Sequence, residues 1–306
     1  MGKRIGLVVN PTSGKNRGGA LGIEVAHRLR AAGHEVLDLS DETAAAARDR
    51  ALGAIAQGID VLAVTGGDGM VNLGVNLCAD SMTPLAIIAA GTGNDVARSL
   101  GLPVHNPIAA ADVVSTGIPR QIDAVRHITA AGETRWYAGV LGAGFDSLVN
   151  ERANTWPWPR GRMRYNLAIA RELPLFRAIP YAITIDGVRH DTAAMLAVVG
   201  NGPSYGGGMQ VCPDALLDDG LADVMILHEL STLEFLKVFP KVFKGAHVGH
   251  PSVEILRGRV VTLEAQGIVA YADGERFAPL PLTVEVVPGA LTVLAPAGPH
   301  ARPGSA

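Results

Sequence analysis

The chain has 306 residues, more than one hydrophobic core usually serves, so two domains are expected. Hydrophobic residues make up 48% and charged residues 18%, a balance typical of compact globular proteins and not of disordered ones. The formal net charge of -3 leaves no excess of Lys and Arg to neutralise phosphates, so composition argues against nucleic acid as a partner.

The cysteines and the first residues indicate where the protein works. Cys78 and Cys212 lie in apolar stretches and predict no disulfide framework, as is typical of a reducing cytosol. Residues 1–5 run straight into a strand-like stretch without the apolar core of an export signal. The longest uninterrupted apolar stretch, residues 193–199, is far shorter than the ~20 residues of a membrane-spanning helix. We therefore expect a cytoplasmic protein.

The first third of the chain alternates apolar runs with helical patterns. Strands are predicted at residues 5–9, 35–39, 60–65 and 85–88, with Ala-rich helical stretches between them. This alternation predicts a parallel sheet covered by helices. Glycine-bearing loops follow the first, third and fourth of these strands, at the strand ends where open α/β sheets bind ligands.

Beyond about residue 120, strand-like segments dominate and predict an antiparallel, β-rich second domain. These strands are predicted at residues 121–125, 135–141, 181–185, 193–199 and 222–227. Three helical stretches interrupt them, near residues 146–152, 162–176 and 232–244.

The GGDG segment at residues 66–69 follows the third predicted strand and precedes a helical run. Its glycines can bring main-chain N–H groups close to a phosphate at a helix N-terminus. It is not the dinucleotide fingerprint G-x-G-x-x-G, because Asn72 stands at the third glycine position. Residues 10–15, NPTSGK, lack the first glycine of a Walker loop, and Asn16 replaces its Ser or Thr. Phosphate binding is therefore expected from a different glycine loop.

Asp68 and the second glycine loop, residues 90–95, each allow two interpretations. Asp68 either holds Mg²⁺ on nucleotide phosphates or belongs to a plain Asp-Gly turn. In the second loop Thr92 is a candidate donor to a phosphate, while Asn94 or Asp95 caps the following helix. For Asp95 we expect capping alone.

A competing hypothesis comes from residues 202–206, which fit the G-x-S-x-G pattern of a serine hydrolase. Ser204 would be the nucleophile, and Asp214 or Asp223 followed by His247 or His250 would complete the triad in the right order. The pattern requires a helix directly after the serine, but helix-breaking Gly207, Gly208 and Pro213 follow instead. His247 and His250 also form a candidate metal pair, although a loop without a third ligand is favoured.

Residues 156–164 combine two of the three tryptophans with three arginines. Such a composition suits the interface of a membrane, where indole rings and cations meet lipid headgroups. The alternative is a proline-ordered loop that packs on the second domain.

Four segments stand in a characteristic order: NPTSGK at residues 10–15, GGDG at 66–69, GTGND at 91–95 and DGE at 273–275. Together with residues 200–224, they make the chain resemble the soluble bacterial diacylglycerol and lipid kinases over nearly its whole length. The resemblance implies an α/β domain like that of phosphofructokinases, residues 1–124, to which a last segment, about 290–306, returns. It also implies an antiparallel β-sandwich domain, residues 125–289, and a nucleotide site in the cleft between the two.

The function implied by the resemblance is transfer of phosphate from ATP, with Mg²⁺, to a lipid hydroxyl, most simply converting diacylglycerol to phosphatidic acid. Such an enzyme would work peripherally at the inner face of the cell membrane, and a homodimer is left open. The alternatives are a kinase acting on another lipid or on NAD, the serine hydrolase, and a nucleotide- or lipid-binding protein without turnover.

The resemblance also implies roles for individual residues. Asp273 matches the catalytic base, and Glu275 would orient or polarise it. Two main-chain carbonyls and one carboxylate would hold a metal, at Leu216, Leu221 and Asp219. The residues implied at the nucleotide are Asn10, Ser40, Gly66, Gly67, Asp68, Gly69, Asn72, Gly91, Thr92 and Asn94.

Chemistry agrees with the role implied for Asp273, because phosphoryl transfer needs a group that takes the proton of the acceptor hydroxyl. The alternative is that Asp273 and Gly274 only form the turn of a hairpin. The chain departs from the family at Met70 and Leu73, where Thr and Glu are usual, so a polar contact of the nucleotide or metal site is absent or supplied elsewhere.

Overall fold

A parallel sheet makes up the first part of the fold. The computed structural model describes residues 2–10, 18–104, 106–156, 167–168, 171–172 and 177–297. The first strands are β1 (Arg4–Val9), β2 (Glu35–Asp38), β3 (Val61–Gly66) and β4 (Leu85–Ala89). They lie in the order β2-β1-β3-β4 and pair in parallel, with Val64 between Val8 and Ile87. Burial on both faces explains why these strands are almost continuously apolar.

Helices cover both faces of this sheet. They are α1 (Gly18–Ala31), α2 (Ala44–Ala56), α3 (Asp68–Cys78), α4 (Asp95–Ser99) and α5 (Pro107–Thr116). Val25 of α1 shares one core cluster with Ile5 of β1, whereas Val75 of α3 shares the opposite cluster with Leu62 of β3. Parallel strands end at the same edge of the sheet, so the loops after β1, β3 and β4 all open at one edge.

Antiparallel strands make up the second part. The described residues from 118 onward form β5 (Ile118–Ile128), β6 (Thr134–Tyr137), β7 (Val140–Gly144), β8 (Ile179–Ile185), β9 (Val188–Gly200), β10 (Ala222–His228), β11 (Val253–Gly258), β12 (Val260–Glu264), β13 (Val269–Ala272), β14 (Glu275–Pro279) and β15 (Leu282–Ala295). Their inward side chains, among them Tyr137, Ile183 and Val284, form one core. The helical elements here are α6 (Phe145–Thr155), α7 (Thr232–Val238) and a 3₁₀ helix (Phe239–Lys244). None of the described helices is long and apolar enough to cross a bilayer.

The last strand joins the two sheets. The start of β15 pairs antiparallel with β12, residues 285–295 pair antiparallel with β5, and Val293 pairs in parallel with Leu85 of β4. The ladder with β5 is irregular between Val287 and Leu291, where Gly289 has a φ of 65°. The single strand therefore bends to serve both sheets, while the domain boundaries at residues 124 and 289 stay a prediction.

The strand predicted at residues 135–141 is wrong in one respect, because it is two strands. β6 ends at Tyr137 and β7 begins at Val140. The N–H groups of Ala138, Gly139 and Val140 all donate to the carboxylate of Asp273. Because all three N–H groups bind one carboxylate, the predicted strand is interrupted between Tyr137 and Val140. The helix predicted at 162–176 and the Trp-Arg segment beyond Trp156 lie almost wholly outside the described residues.

Candidate active site

The two glycine loops meet at the open edge of the parallel sheet. Gly67 precedes α3, and Gly91 lies in the loop after β4. A Cβ at Gly91 would lie 2.4 Å from the Cα of Gly67, so the two main chains are in direct contact. Position 91 therefore requires glycine, and a Cβ at Gly67 would be tight at 3.2 Å from the Cα of Gly91. The structure thus brings the GGDG and GTGND segments together.

Asp68 fixes the shape of the second loop. Its two carboxylate oxygens accept hydrogen bonds from the N–H groups of Asn94 and Asp95, at 3.0 Å each. Asn94 adopts a left-handed φ of 56°, and its side chain bonds both the N–H and the C=O of Gly91. Burial, and then the charge of Asp95, raise the pKa of Asp68. The loop is therefore held in one conformation before any ligand binds.

The expectation that Asp95 only caps a helix is wrong, because Asp95 is the first residue of α4 and no side chain makes a capping hydrogen bond there. Its carboxylate accepts hydrogen bonds from the N–H groups of Gly207 and Gly208 at 2.7 Å each, and from the hydroxyl of Ser204 at 3.3 Å. The side chain is almost fully buried, with Arg98 3.7 Å away. A local sequence pattern cannot reveal such a contact, because the partners lie more than 100 residues apart.

Asp273 occupies the turn between β13 and β14, as the hairpin interpretation requires, with a φ of 50°. Its carboxylate nevertheless points inward and accepts hydrogen bonds from Ala138, Gly139 and Val140 at 3.0 to 3.1 Å. Burial and, to a smaller extent, the charge of Asp68 together raise the pKa of Asp273 to about 6, against the opposing effect of the main-chain donors. Asp273 therefore forms part of the hairpin turn and also carries a carboxylate whose pKa is raised.

The acidic turn faces the start of α3. A Cβ at Gly69 would lie 2.7 Å from Oε1 of Glu275, and burial raises the pKa of Glu275 although much of the residue is exposed. Asp68 lies close enough for its charge to raise the pKa of Asp273. The structure therefore brings Asp68, Gly69, Asp273 and Glu275 to one place, which the motif order alone does not require.

The remaining residues predicted at the nucleotide line the same edge. The main-chain N–H of Asn10 donates to the carbonyl of Thr65, just before Gly66, and the Ser40 hydroxyl accepts from the N–H of Val9 at 3.0 Å. Asn72 lies beside Asn76 on α3, and Thr92 is exposed at the rim. Residues 11–15 of the first motif lie outside the described residues. All these roles at the nucleotide stay predictions.

Comparisons with known proteins match this arrangement. The family model "Diacylglycerol kinase catalytic domain" matches residues 4–127, and "YegS C-terminal NAD kinase beta sandwich-like domain" matches residues 139–295. A curated diacylglycerol kinase from Mycobacterium tuberculosis (strain ATCC 25618 / H37Rv) is 43% identical, over 96% of this chain and 95% of its own length. The chain belongs to the diacylglycerol kinase family. The predicted phosphotransferase class is therefore confirmed.

More distant relatives agree. A diacylglycerol kinase from Bacillus subtilis (strain 168) is 29% identical, over 91% of this chain and 92% of its own length. A diacylglycerol kinase crystal structure from Bacillus anthracis str. Sterne has a TM-score of 0.76 at 24% identity, covering 96% of this chain and 98% of that one. An Archaeoglobus fulgidus NAD kinase solved with ATP has a TM-score of 0.52 at 12% identity, covering 95% and 93%. These two structures share the fold, and the predicted α/β domain with an antiparallel β-sandwich is confirmed.

Asp219, the one side-chain ligand of the predicted metal site, already has other partners. Asp219 accepts from the N–H of Leu221 at 3.1 Å, and its second oxygen pairs with the guanidinium of Arg257. Arg257 also bonds the buried Asp223 at 2.7 Å. A guanidinium therefore already supplies positive charge at Asp219. Metal binding by Leu216, Asp219 and Leu221 stays a prediction.

The two departures from the family have a packing explanation. Met70 and Leu73 are partly buried and pack against the core cluster between α3 and the sheet. A Cβ at Gly66 would lie 2.5 Å from Cγ of Met70, so this side chain covers Gly66. The two apolar side chains thus stabilise the packing of α3 on the sheet, while Asp68 and Gly69 lie on the side of the acidic turn.

The hydrolase geometry is absent. The described residues 201–221 contain no helix after Ser204, which is buried and donates to Asp95. Nε2 of His247 bonds the carbonyl of Val211 at 3.1 Å, and burial lowers the pKa of His247. In the part of the chain that the structure describes, no group of three His, Cys, Asp or Glu could hold a metal ion, so the histidine-pair hypothesis gains no support.

Asn201 is a site residue that sequence reasoning missed. Its side-chain amide donates to the carbonyls of Asp123 and Ala138 at 3.1 and 2.9 Å, and its N–H donates to Gly139. It thereby holds the main chain that in turn holds Asp273. The GNG triplet at residues 200–202 was the available signal, but its partners come from a different strand pair.

Proposed function

We propose that this chain transfers the terminal phosphate of ATP to the hydroxyl of diacylglycerol, giving phosphatidic acid, at the cytoplasmic surface of the cell membrane. The carrying observation is the acidic turn of Asp273 and Glu275: Asp273 is a buried carboxylate of raised pKa that feels the charge of Asp68, and Glu275 lies against Gly69 at the start of α3. The names of the relatives support the choice of lipid.

The glycine loops are suited to ATP phosphates. α3 starts directly after Gly67, so its first N–H groups and the positive end of its dipole point toward the open edge of the sheet. The contact of Gly67 with Gly91 leaves main chain exposed there without side chains. Thr92 at the rim adds a hydroxyl donor. Phosphate binding thus relies on main-chain donors, consistent with the lack of a Walker loop.

Asp273 is suited to act as the base. The acceptor oxygen forms a bond to phosphorus as the bond from phosphorus to the ADP oxygen breaks, and the proton of the hydroxyl passes to Asp273. A pKa of about 6 leaves the carboxylate ionised at neutral pH while making it a better proton acceptor than an ordinary Asp. Glu275, beside Gly69, orients the acceptor or polarises Asp273.

Mg²⁺ bound with ATP would be held mainly by phosphate oxygens and water. Asp68, Asp273 and Glu275 have no described Lys or Arg paired to them, and burial raises the pKa of each. Both oxygens of Asp68 and of Asp273 accept main-chain hydrogen bonds, and the described residues hold no group of three carboxylates placed to coordinate an ion. These carboxylates would therefore meet the ion through water, and the ion would neutralise charge on the phosphates.

The test compares two Asp-Gly hairpin turns. Asp273→Asn should lower transfer of labelled phosphate from ATP to dioleoylglycerol in mixed micelles by about 10²- to 10⁴-fold. Asp186→Asn is the matched control, because Asp186 has a similar φ of 47° in the turn between β8 and β9 but bonds only Arg259 and Val260. Equal activity of wild type and Asp273→Asn would refute the base, and faster transfer to NAD, phosphatidylglycerol or sphingosine would refute the acceptor.

A further inference from the structure

Residues 232–248, the lysine segment, present an unusual surface. They comprise α7, the 3₁₀ helix and the turns after it. Four large apolar side chains point outward here: Leu233, Leu236, Phe243 and Val248 are 72%, 57%, 42% and 38% exposed. They are four of the twelve exposed large hydrophobic residues found in the described part of the chain. A cluster of exposed apolar side chains is typical of a surface that binds a protein partner, an apolar ligand or a membrane.

The same segment holds most of the lysines. The chain has five lysines in all, and three of them, Lys237, Lys241 and Lys244, lie here and are exposed. Among the described residues, no carboxylate forms an ion pair with any of the three. The only acidic residue of the segment, Glu234, is held by Ser231 in a capping box at the start of α7. Unpaired cations therefore alternate with exposed apolar side chains.

Packing holds these side chains outward. Phe235, Val238 and Val242 form the buried face, and the Phe235 ring meets the edge of Phe145 at 5.6 Å between centroids. The N–H of Gln210 donates to the carbonyl of Val242 at 2.9 Å. Because the inner face is fixed, the outer face cannot rotate inward to bury its apolar groups.

The lysine segment also packs against residues next to the candidate active site. Gln210 follows the glycine turn that binds Asp95, and Phe145 follows directly on β7, whose first residue donates to Asp273. A surface bound to the lysine segment would therefore lie against the domain that carries the base.

We propose that the lysine segment docks the protein on a bilayer that contains anionic lipid. The apolar side chains would enter the headgroup region, while the lysines, with long flexible stems, would meet the negative headgroups. A second copy of the chain is disfavoured as the occupant, because it would face the same three unpaired lysines with its own. This inference rests on the proposed function, since a lipid kinase must reach substrate held in a membrane.

Vesicle co-sedimentation tests the proposal. Wild-type protein should bind 70:30 phosphatidylcholine:phosphatidylglycerol vesicles in 0.1 M NaCl and bind pure phosphatidylcholine vesicles more weakly. The triple variants Lys237→Glu/Lys241→Glu/Lys244→Glu and Leu233→Ser/Leu236→Ser/Phe243→Ser should each lose about tenfold or more of the binding to the mixed vesicles. Met82→Ser/Val188→Ser is the control, because Met82 and Val188 are also exposed apolar residues, at 97% and 60%, but lie outside the lysine segment. Unchanged binding in both triple variants would overturn the proposal, as would equal binding to the two kinds of vesicle.

Two further measurements separate this idea from the others. Thermal unfolding shows whether each variant folds, and light scattering would overturn the proposal if the variants lost a dimer and kept vesicle binding. Transfer to dihexanoylglycerol, which dissolves as monomers, should be the same in wild type and both triple variants. If neither the wild type nor the triple variants phosphorylate dihexanoylglycerol, the proposed function fails. The vesicle result still decides whether the lysine segment binds the membrane.

Discussion

Oδ2 of Asp95 accepts a hydrogen bond from the main-chain N–H of Gly207 at 2.7 Å. The contact ties the loop that follows β4 to a turn that follows β9, so the two sides of the proposed nucleotide site share a buried carboxylate. The relative position of these two segments therefore depends on a residue that need not touch a substrate.

Asp95→Asn should disturb this link. An amide cannot accept from both Gly207 and Gly208, so one N–H is left unpaired, at a cost of about 1–3 kcal/mol. We expect the KM for ATP to rise about tenfold or more, which can be measured from the initial rate of transfer as a function of ATP concentration. The control is Asp112→Asn, which removes an exposed ion pair with Arg28 and should cost less than about 1 kcal/mol. A KM equal to that of the control would show that the link only stabilises the fold.

The pH dependence follows from Asp273. The carboxylate must be ionised to accept a proton, and its pKa is about 6, so kcat/KM should rise with pH up to about 6 and be flat above it. Asp68→Asn removes a negative charge that raises the pKa of Asp273. In that variant the midpoint of the acid limb should move to lower pH, even though activity falls. A midpoint that stays in place, measured at saturating Mg²⁺, would mean that another group titrates.

Asn201→Ala should separate positioning from stability. The change leaves the buried carbonyls of Asp123 and Ala138 without a donor, and loosens the segment that holds Asp273. We expect kcat to fall about tenfold or more, with a loss of stability of about 2 kcal/mol. Asn106→Ala removes the cap of α5, at about 1 kcal/mol, and should leave kcat unchanged. Stability loss in both variants without a fall in kcat for Asn201→Ala would contradict a positioning role.

Local signals explain which parts of the fold the sequence could predict. The runs at residues 5–9, 60–65 and 85–88 coincide with β1, β3 and β4 to within a residue at each end, because strands buried on both faces show as unbroken apolar runs. The hairpin at Asp273 was equally readable from its Asp-Gly pair.

Long-range contacts explain what the sequence could not predict. The bond from Gly207 to Asp95 and those from Asn201 join residues more than 60 positions apart. Neither side chain belongs to a periodic pattern. Strand propensity favours an unbroken strand through residues 135–141. The break after Tyr137 arises because three N–H groups donate to Asp273, which lies more than 130 residues further along the chain.

Arg257 should decide whether the loop at residues 216–221 needs a metal. In the wild type its guanidinium pairs with Asp219 and Asp223, so EDTA and 10 mM Mg²⁺ should give melting temperatures within about 1 °C of each other. Arg257→Met leaves the buried Asp223 unpaired, and should cost about 1–3 kcal/mol. Mg²⁺ should then raise the melting temperature, because the carboxylates are free to bind it. A strong effect of EDTA on the wild type would show that a metal is bound beside Arg257.

Gly91→Ala should weaken ATP binding without unfolding the protein. The new Cβ would lie 2.4 Å from the Cα of Gly67, and main chain cannot move aside as a flexible side chain would. The two glycine loops must therefore separate, and the N–H groups at the start of α3 lose their place opposite the second loop. Calorimetric titration with ATP should show a loss of affinity of at least about tenfold.

The matched control for Gly91→Ala is Gly53→Ala on α2. A Cβ there meets nothing within 4 Å, and alanine in a helix interior should stabilise the fold by about 0.5–1 kcal/mol. ATP affinity should stay at the wild-type value in that variant. Unchanged affinity in Gly91→Ala as well would mean that ATP does not use the contact between the loops, because the substitution cannot be accommodated without parting them.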